Sequence, residues 1–329
     1  MISYRPFRNT DPPALARIWR AQPPLRGRAP EMSAFRLEEL VLSKPYFDPH
    51  GLIVAAEHDE PVGFVHAGFG PTDDLSALAR RQGVVSMLLV QDDARHDEIA
   101  NALLGQSEAY LRQAGAESFI AGGAGVNCPF YLGLYGGSRL PGILDSDTAL
   151  RDFYLRHGYT PSDHVSVLHR ELASFRPVTD RTQVQIRRST QLEIVEDPPA
   201  RNWWEACTLG CYEQIAVRME PKDQGQPWAS ARFWSMGPLG QSWGVNAVGL
   251  IDIEVDPSRR GGGVATCLLG ESLRPLAQRG IALVEAQVSD SNAAALRLLR
   301  RLGFVQVDAG TVLTKNVTGA EQSNGERGA

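Results

Sequence analysis

From Ala247 to Val255 the chain reads AVGLIDIEV, a run in which Ile251, Ile253 and Val255 alternate with Asp252 and Glu254. A period of two, rich in β-branched residues, predicts a strand with its apolar face buried and the two carboxylates on the other face. Pro257 ends it, since proline cannot donate to a ladder. From Gly263 the period changes. Val264, Leu268, Leu269, Leu273 and Leu276 fall on one broad face of a helix, which Pro275 is expected to bend or end early. IALVEAQV (281–288) predicts a second strand, and SDSN (289–292) supplies capping side chains for a helix running to Gly303. Strand, helix, strand, helix is an α/β order in which the two strands run parallel.

The same pattern occurs earlier in the chain. At an offset of 165 residues (Val90 to Val255), Arg95 pairs with Arg260 and Ala100 with Ala265. Leu103-Leu104-Gly105 pairs likewise with Leu268-Leu269-Gly270, and Gly115 with Gly280 as the helix C-cap. A second block, DTALRDFYLRHGY (147–159), matches NAAALRLLRRLGF (292–304) at an offset of 145 (Asp147 to Asn292). The first copy therefore carries 20 additional residues, within the glycine- and aromatic-rich segment 121–146. A loop of that length inside a compact domain is functional, part of an interface or disordered, and its tyrosines and Phe130 argue against disorder. The repeat implies two similar domains, 1–175 and 176–316, joined near SFRPVTDRTQ (174–183), and the polar residues 317–329 are expected to form a disordered tail.

Composition narrows the class. The chain has 329 residues, 43% apolar and 22% charged, with a net charge of −5, which argues against a general nucleic-acid binder. Neither a membrane span nor a signal peptide is legible. Four unpatterned cysteines fit reduced thiols in a cytoplasmic protein, and Cys207 and Cys211 lack the second pair that a zinc site needs, so no metal is expected.

The least ordinary string is VDPSRRGGGVA (255–265). A glycine-rich turn into a helix is either a mobile turn needing φ > 0 or an anion site built from backbone N–H groups. Arg259 and Arg260 beside a helix N-terminus disfavour its dipole unless an anion is bound, which tilts the reading toward a phosphate-bearing ligand. Neither the P-loop nor the dinucleotide glycine spacing is present. Val255-x-Pro257-x-x-Arg260-x-x-Gly263-x-Ala265 resembles the acetyl-coenzyme A signature of the GNAT acyltransferase superfamily. Asn292 and the helix ending Leu302-Gly303-Phe304 resemble its second conserved block. The resemblance implies an α/β (α+β) fold of two tandem GNAT-like domains. Each would have a mixed, mostly antiparallel sheet with a parallel central strand pair and flanking helices.

By that resemblance, the N–H groups of Arg260, Gly261, Gly262, Gly263, Val264 and Ala265 hold the pyrophosphate of acetyl-CoA. Ile253 and Val255 lie on the strand that pairs with its pantetheine arm, and Asn292 either contacts it or caps its helix. The implied activity is N-acetyl transfer to an amine of a small molecule or peptide, by a monomer or homodimer without nucleic-acid or membrane partners. The alternatives are a non-catalytic acyl-CoA-binding or interaction protein, or an enzyme acylating oxygen or using a longer chain. Asp252 and Glu254 are candidate general bases, set against a reading as solvated strand residues; Glu285 is a third. The tyrosine acid of many family members would fall at Leu299. In the first copy that position is Tyr154, but there the turn reads RHDEIA, with Glu98 in place of the key glycine and Asp97 before it. Two carboxylates would repel a pyrophosphate, so the first half reads as degenerate. Tyr154 is then a packed or substrate-side aromatic, or a residue lent with the glycine-aromatic loop to the second half's site.

Overall fold

The computed structural model describes residues 1–92, 94–223 and 225–317. Of the expected tail, all but Val317 lies outside the described residues. The first half holds strands β1 (Ile2–Pro6), β2 (Leu52–Glu57), β3 (Glu60–Pro71), β4 (Leu78–Val90), β5 (Ser118–Ala121), β6 (Ile143–Leu144) and β7 (Thr160–Glu171). Its helices are α1 (Pro12–Arg20), α2 (Ala34–Leu37), α3 (His96–Gln113) and α4 (Thr148–Arg156). The second half holds β8 (Thr190–Glu196), β9 (Gln214–Pro221), β10 (Ala229–Ser235), β11 (Ala247–Val255), β12 (Leu283–Ser289) and β13 (Val305–Asn316). Its helices are α5 (Arg181–Ser189), α6 (Trp203–Leu209), α7 (Gly237–Trp243), α8 (Val264–Gln278) and α9 (Ala293–Arg301). The fold is mixed α/β, as the repeat predicts. No described helix is long and apolar enough to cross a membrane.

The repeated blocks fold alike. β4 and β5 run parallel from Gln82↔Ser118 to Val85↔Ala121, and β11 and β12 from Ala247↔Leu283 to Gly249↔Glu285. Gly115 and Gly280 both take positive φ just past their helices, as their cap positions require. Two local expectations are corrected. Pro275 does not end α8, which runs on to Gln278 before Gly280 turns the chain. Near a helix C-terminus a proline removes one ladder bond, and the Arg279 amide still reaches the Pro275 and Leu276 carbonyls. The strict alternation of β11 also fails. Arg232 pairs with Asp252 but Phe233 with Leu250, so Ile251 is the extra residue of a bulge. Ile251 then packs with a different apolar cluster from Ile253 and Val255.

The halves share one sheet, in the order β1-β2-β3-β4-β5-β13-β7-β12-β11-β10-β9-β8. Their last strands are exchanged. β13 of the second half inserts between β5 and β7 of the first, and β7 in turn pairs antiparallel with β12. One apolar cluster also crosses the divide, joining Trp19, Tyr131 and Leu134 to Leu209, Trp234, Met236 and Leu239.

The insertion 121–146 is ordered by this cluster. Phe130, Tyr131, Leu134 and Tyr135 are buried, and Phe130 stacks on the buried His66 ring, with centroids 3.9 Å apart. His66 Nδ1 lies 3.1 Å from the Tyr131 hydroxyl. Farther along, the Ser138 N–H donates to Glu285 Oε1 at 2.5 Å, and Glu285 Oε2 lies 2.8 Å from His169 Nε2 on β7. Two consequences follow for stability. Burial pushes the His66 pKa down from 6.5 to about 3, so below about pH 6.5 the unfolded chain binds a proton that the folded one does not. Stability is full above that pH and falls as pH drops, by up to about 1.4 kcal/mol per unit from this residue. His66→Phe should flatten the acid limb of urea midpoints measured between about pH 6.5 and pH 4. Glu285→Leu should cost about 3 kcal/mol in the same assay, because it strands a buried N–H and the His169 ring, and Glu285→Gln should cost less.

Candidate functional site

Beyond Gly249 and Glu285 the parallel strands β11 and β12 part, leaving a V-shaped opening in the sheet. At its outer end lies a cleft of about 1390 Å³, lined by the end of β11, the glycine turn, the start of α8 and one face of α9. The turn takes the shape the glycines predict. Gly261 (φ +75°) and Gly263 (φ +82°) are left-handed, and a Cβ at 263 would meet Gln183 Nε2 at 3.0 Å. Asp256 braces the turn by accepting from the Ser258 amide at 2.8 Å. Its bonds to the Ser258 side chain and amide hold its carboxyl below the usual range. The amides of Gly261, Gly262, Gly263, Val264, Ala265 and Thr266 donate to no acceptor among the described residues. A fan of free N–H groups at a helix N-terminus can receive an anion.

Charge supports the same use. Arg218, Arg259, Arg260, Arg297 and Arg301 line the cleft, against Glu254 and Asp256. Arg260 folds back so that Nε donates to the Val255 carbonyl at 3.2 Å, and Arg259 lies over the Trp228 ring at 4.1 Å. Ile253, Val255 and Asn292 also face the cleft. The Asn292 Oδ1 accepts the Ala295 amide at 3.1 Å, so the capping reading holds and its amide nitrogen stays available. Arg297 and Arg301, spaced i, i+4 on α9, escaped the sequence reading, although that spacing just after Asn292 could have flagged them.

The matching region of the first half is different. Its cleft is smaller, about 490 Å³, and is lined by Asp97, Asp147 and Asp152 along with His96, Arg28 and Arg156. Pro23, Pro24 and Leu25 lie across it, and Gln22 Nε2 donates to the Val90 carbonyl at 3.0 Å. Asp97 and Glu98 occupy the first turn of α3, where they complement the helix dipole themselves. Burial raises the Asp147 carboxyl above its ordinary range, against the pull of Arg28.

The candidate bases meet a partner that the sequence did not reveal. The Arg201 guanidinium reaches Asp252 Oδ2 at 2.5 Å, Glu254 Oε1 at 2.9 Å and Glu205 Oε2 at 3.2 Å. Burial works against the charge of Arg201, but these bonds outweigh it and raise its pKa. Glu205 is the i, i+4 neighbour of Arg201, but nothing in PPARNWW marks the pairing with Asp252 and Glu254, which lie 51 and 53 residues on. Glu285 is buried beneath the insertion, away from the cleft. Tyr154 and Leu299, the equivalent positions of the repeat, are both core residues, each 1% exposed. Tyr154 packs edge-on against Tyr159, with centroids 5.0 Å apart, and burial pushes its hydroxyl well above the usual range. It reaches neither cleft.

On the sheet face opposite α8, a small cavity of about 110 Å³ lies between the halves. α6 contributes Trp204, Glu205 and Thr208, the insertion contributes Cys128, Ser138 and Arg139, and Ile251 forms part of the wall. Trp204 and Trp234 line this cavity, while the neighbouring Phe233 belongs to the core. Burial pushes the Cys128 thiol up to about 11.

Comparison with known proteins agrees with this architecture. The chain is similar to a GCN5-related N-acetyltransferase from Sphaerobacter thermophilus, with 16% identity over 96% of this chain and 95% of that one and a TM-score of 0.61. It is also similar to a tandem GNAT protein from the clavulanic acid biosynthesis pathway, with 14% identity over 98% and 100% of the two chains and a TM-score of 0.64. At such identities the likeness is one of fold. Among curated proteins, the mycothiol acetyltransferase of Streptosporangium roseum is 40% identical over 63 residues, which span 19% of this chain and 19% of that protein. The model of the acetyltransferase (GNAT) family matches twice, over residues 13–133 and 184–304, and the chain belongs to that family, with two copies of its domain in tandem.

Proposed function

We propose that this protein transfers an acetyl group from acetyl-CoA to an amine of a small molecule or peptide, with coenzyme A held in the second half, residues 176–316. The observation that carries the reading is the cleft beside the glycine turn: six unpartnered amides, five arginines and a strand whose open edge leads inward from it. The amides from Gly261 to Thr266 would take the pyrophosphate. Arg218, Arg297 and Arg301 would meet remaining phosphate charge, and the free edge of β11 at Val255 and Ile253 would pair with the amides of the pantetheine arm. The first half lacks the glycines that allow close backbone approach, and its cleft sets Asp97, Asp147 and Asp152 against Arg28 and Arg156.

The amine must lose a proton before it attacks the thioester carbonyl. Glu254 and Asp252 stand where β11 approaches the reacting end, and Arg201 fixes both. It engages only Oε1 of Glu254, whose side chain is largely exposed and so the more accessible acceptor for a proton relayed through water. The acceptor would approach from the side of α6 and the insertion, through the cavity between the halves. Tyr154 has a packing role.

Gly263→Glu tests the cradle. It places a side chain on a left-handed residue against Gln183 and a carboxylate at the phosphate position. Acetyl-CoA affinity measured by calorimetry should fall at least about tenfold, roughly 1.4 kcal/mol; unchanged affinity would sink the reading. Tyr154→Phe should leave turnover unaltered in an assay that follows thiol release with a panel of amines.

A further inference from the structure

Arg139 belongs to the first half by sequence and to the second half's opening by position. Its guanidinium Nη2 donates to the carbonyl of Ile251, the bulged residue of β11. That carbonyl lies past the point where β11 and β12 part, so the guanidinium sits at the inner end of the V. We infer that Arg139 stabilises the negative charge that appears on the sulfur of departing coenzyme A. The inference rests on the cofactor placement proposed above. An arm paired along β11 from Val255 through Ile253 next meets Ile251, about 13 Å along a strand that rises about 3.3 Å per residue. The reacting thioester is then brought to Arg139.

The segment carrying Arg139 is seated by the second half as well as by its own, where the Gly136 amide donates to the Gly27 carbonyl and the Gly125 amide to that of Leu140. Gln287 Nε2 donates to the Gly136 carbonyl at 2.8 Å and to that of Arg139 at 3.1 Å, and Trp234 Nε1 donates to the Ser138 carbonyl at 3.1 Å. Gly137 (φ +117°) lies so close to Glu285 that a Cβ would fall 2.1 Å from its Oε1. The loop is therefore locked in register with β12.

Charge is the second observation. Arg139 is half-buried, and among the described residues it makes no ion pair; the Ile251 carbonyl is its recorded hydrogen-bond acceptor. The carboxylates nearby are already engaged: Glu205 with Arg201 and Arg232, and Asp252 and Glu254 with Arg201. A half-buried guanidinium with five donors and one carbonyl acceptor is suited to complete its shell with an anion. The position at which the family resemblance places a tyrosine acid is Leu299 in the second half, an apolar core residue that can donate no proton.

The step balances without proton donation from Arg139, which stays charged throughout. The neutral amine, having lost a proton through water to Glu254, attacks the carbonyl carbon. A C–N bond forms and the carbonyl π pair moves to oxygen. On collapse the C–S bond breaks and its electron pair passes to sulfur. The pair on oxygen re-forms the carbonyl, the thiolate is held by the guanidinium, and one proton of the cationic nitrogen leaves to solvent, so that the product amide keeps the other.

The test is the titration of bound coenzyme A, followed by thiolate ultraviolet absorbance in wild type, Arg139→Gln and Arg139→Lys. Cys128, which lines the same cavity, is replaced by Ser in all three so that its thiol adds no signal. The wild-type-like protein should hold the bound thiol at least about one unit below the ordinary value near 8.5. The Gln variant should return it to that value, and the Lys variant should retain part of the shift. In turnover, Arg139→Gln should lower kcat at least about tenfold, with little change in KM for acetyl-CoA. Equal thiol titration in the Gln variant and its parent overturns the inference, as does a parent whose bound thiol titrates at or above 8.5, even if the Gln variant does not fold. A parent that fails to bind coenzyme A at all overturns the proposed function instead, and this inference with it. A raised KM for the amine, with the thiol unmoved, would assign Arg139 to the acceptor and count against the role at sulfur.

Discussion

The ladder that joins β7 to both β12 and β13 is the constraint on which everything else in this molecule depends. A strand has two edges, and an unpaired edge in the middle of a protein leaves a row of buried donors and acceptors unsatisfied. Here the free edge of β12 is closed by β7, and that of β5 by β13, so that each half is completed by the other's last strand. β7 carries His169 into the second half, where it meets Glu285, and that carboxylate takes the amide of Ser138. One set of backbone pairings therefore fixes the height at which the first half's insertion stands over the second half's opening. The small cavity between α6 and the insertion exists because of that placement.

The two halves share a fold and differ in electrostatics. Both make a strand-turn-helix with a parallel neighbour, and both end the following helix with a positive-φ glycine. In one, glycines leave the amides bare and arginines surround them; in the other, Asp97 and Glu98 satisfy the helix dipole directly and a proline-bearing segment covers the strand end. The change needs no alteration of backbone architecture. A few side chains separate a turn of bare amides from a self-satisfied helix terminus.

What could be read in the sequence was local. The presence of β11, the apolar face of α8, the glycine turn and the two matching blocks are each set within short windows of sequence, where periodicity and capping chemistry decide structure. The missed features were those in which distant segments decide. Ile251 alternates correctly in sequence, yet the pairing with β10 makes it a bulge. Arg201 gives no sign of its partners Asp252 and Glu254, because the tertiary fold brings them to it from β11. The register of α9 against the core points position 299 inward, and the same is true of Tyr154 in the first half; a motif spacing alone could not report that. Arg139 follows glycines that read as a loop of unspecified purpose, and only the strand exchange shows where the loop goes.

Strand exchange also bears on what counts as a unit of function. Residues 176–316 contain the glycine turn, the arginines and both candidate bases, so the chemistry looks confined to one half. Yet β13 has its ladder partners in β5 and β7, both outside that segment, and β12 has one neighbour there and the other in β7. Without the first half, two strands of the second would lose their partners on one or both edges, and the inner wall of the opening would be missing. The first half is thus not a passive remnant beside a working copy. It closes the sheet, buries the shared aromatic core and places Arg139 on the Ile251 carbonyl, so the second half's fold depends on both halves even though the glycine turn occurs in one.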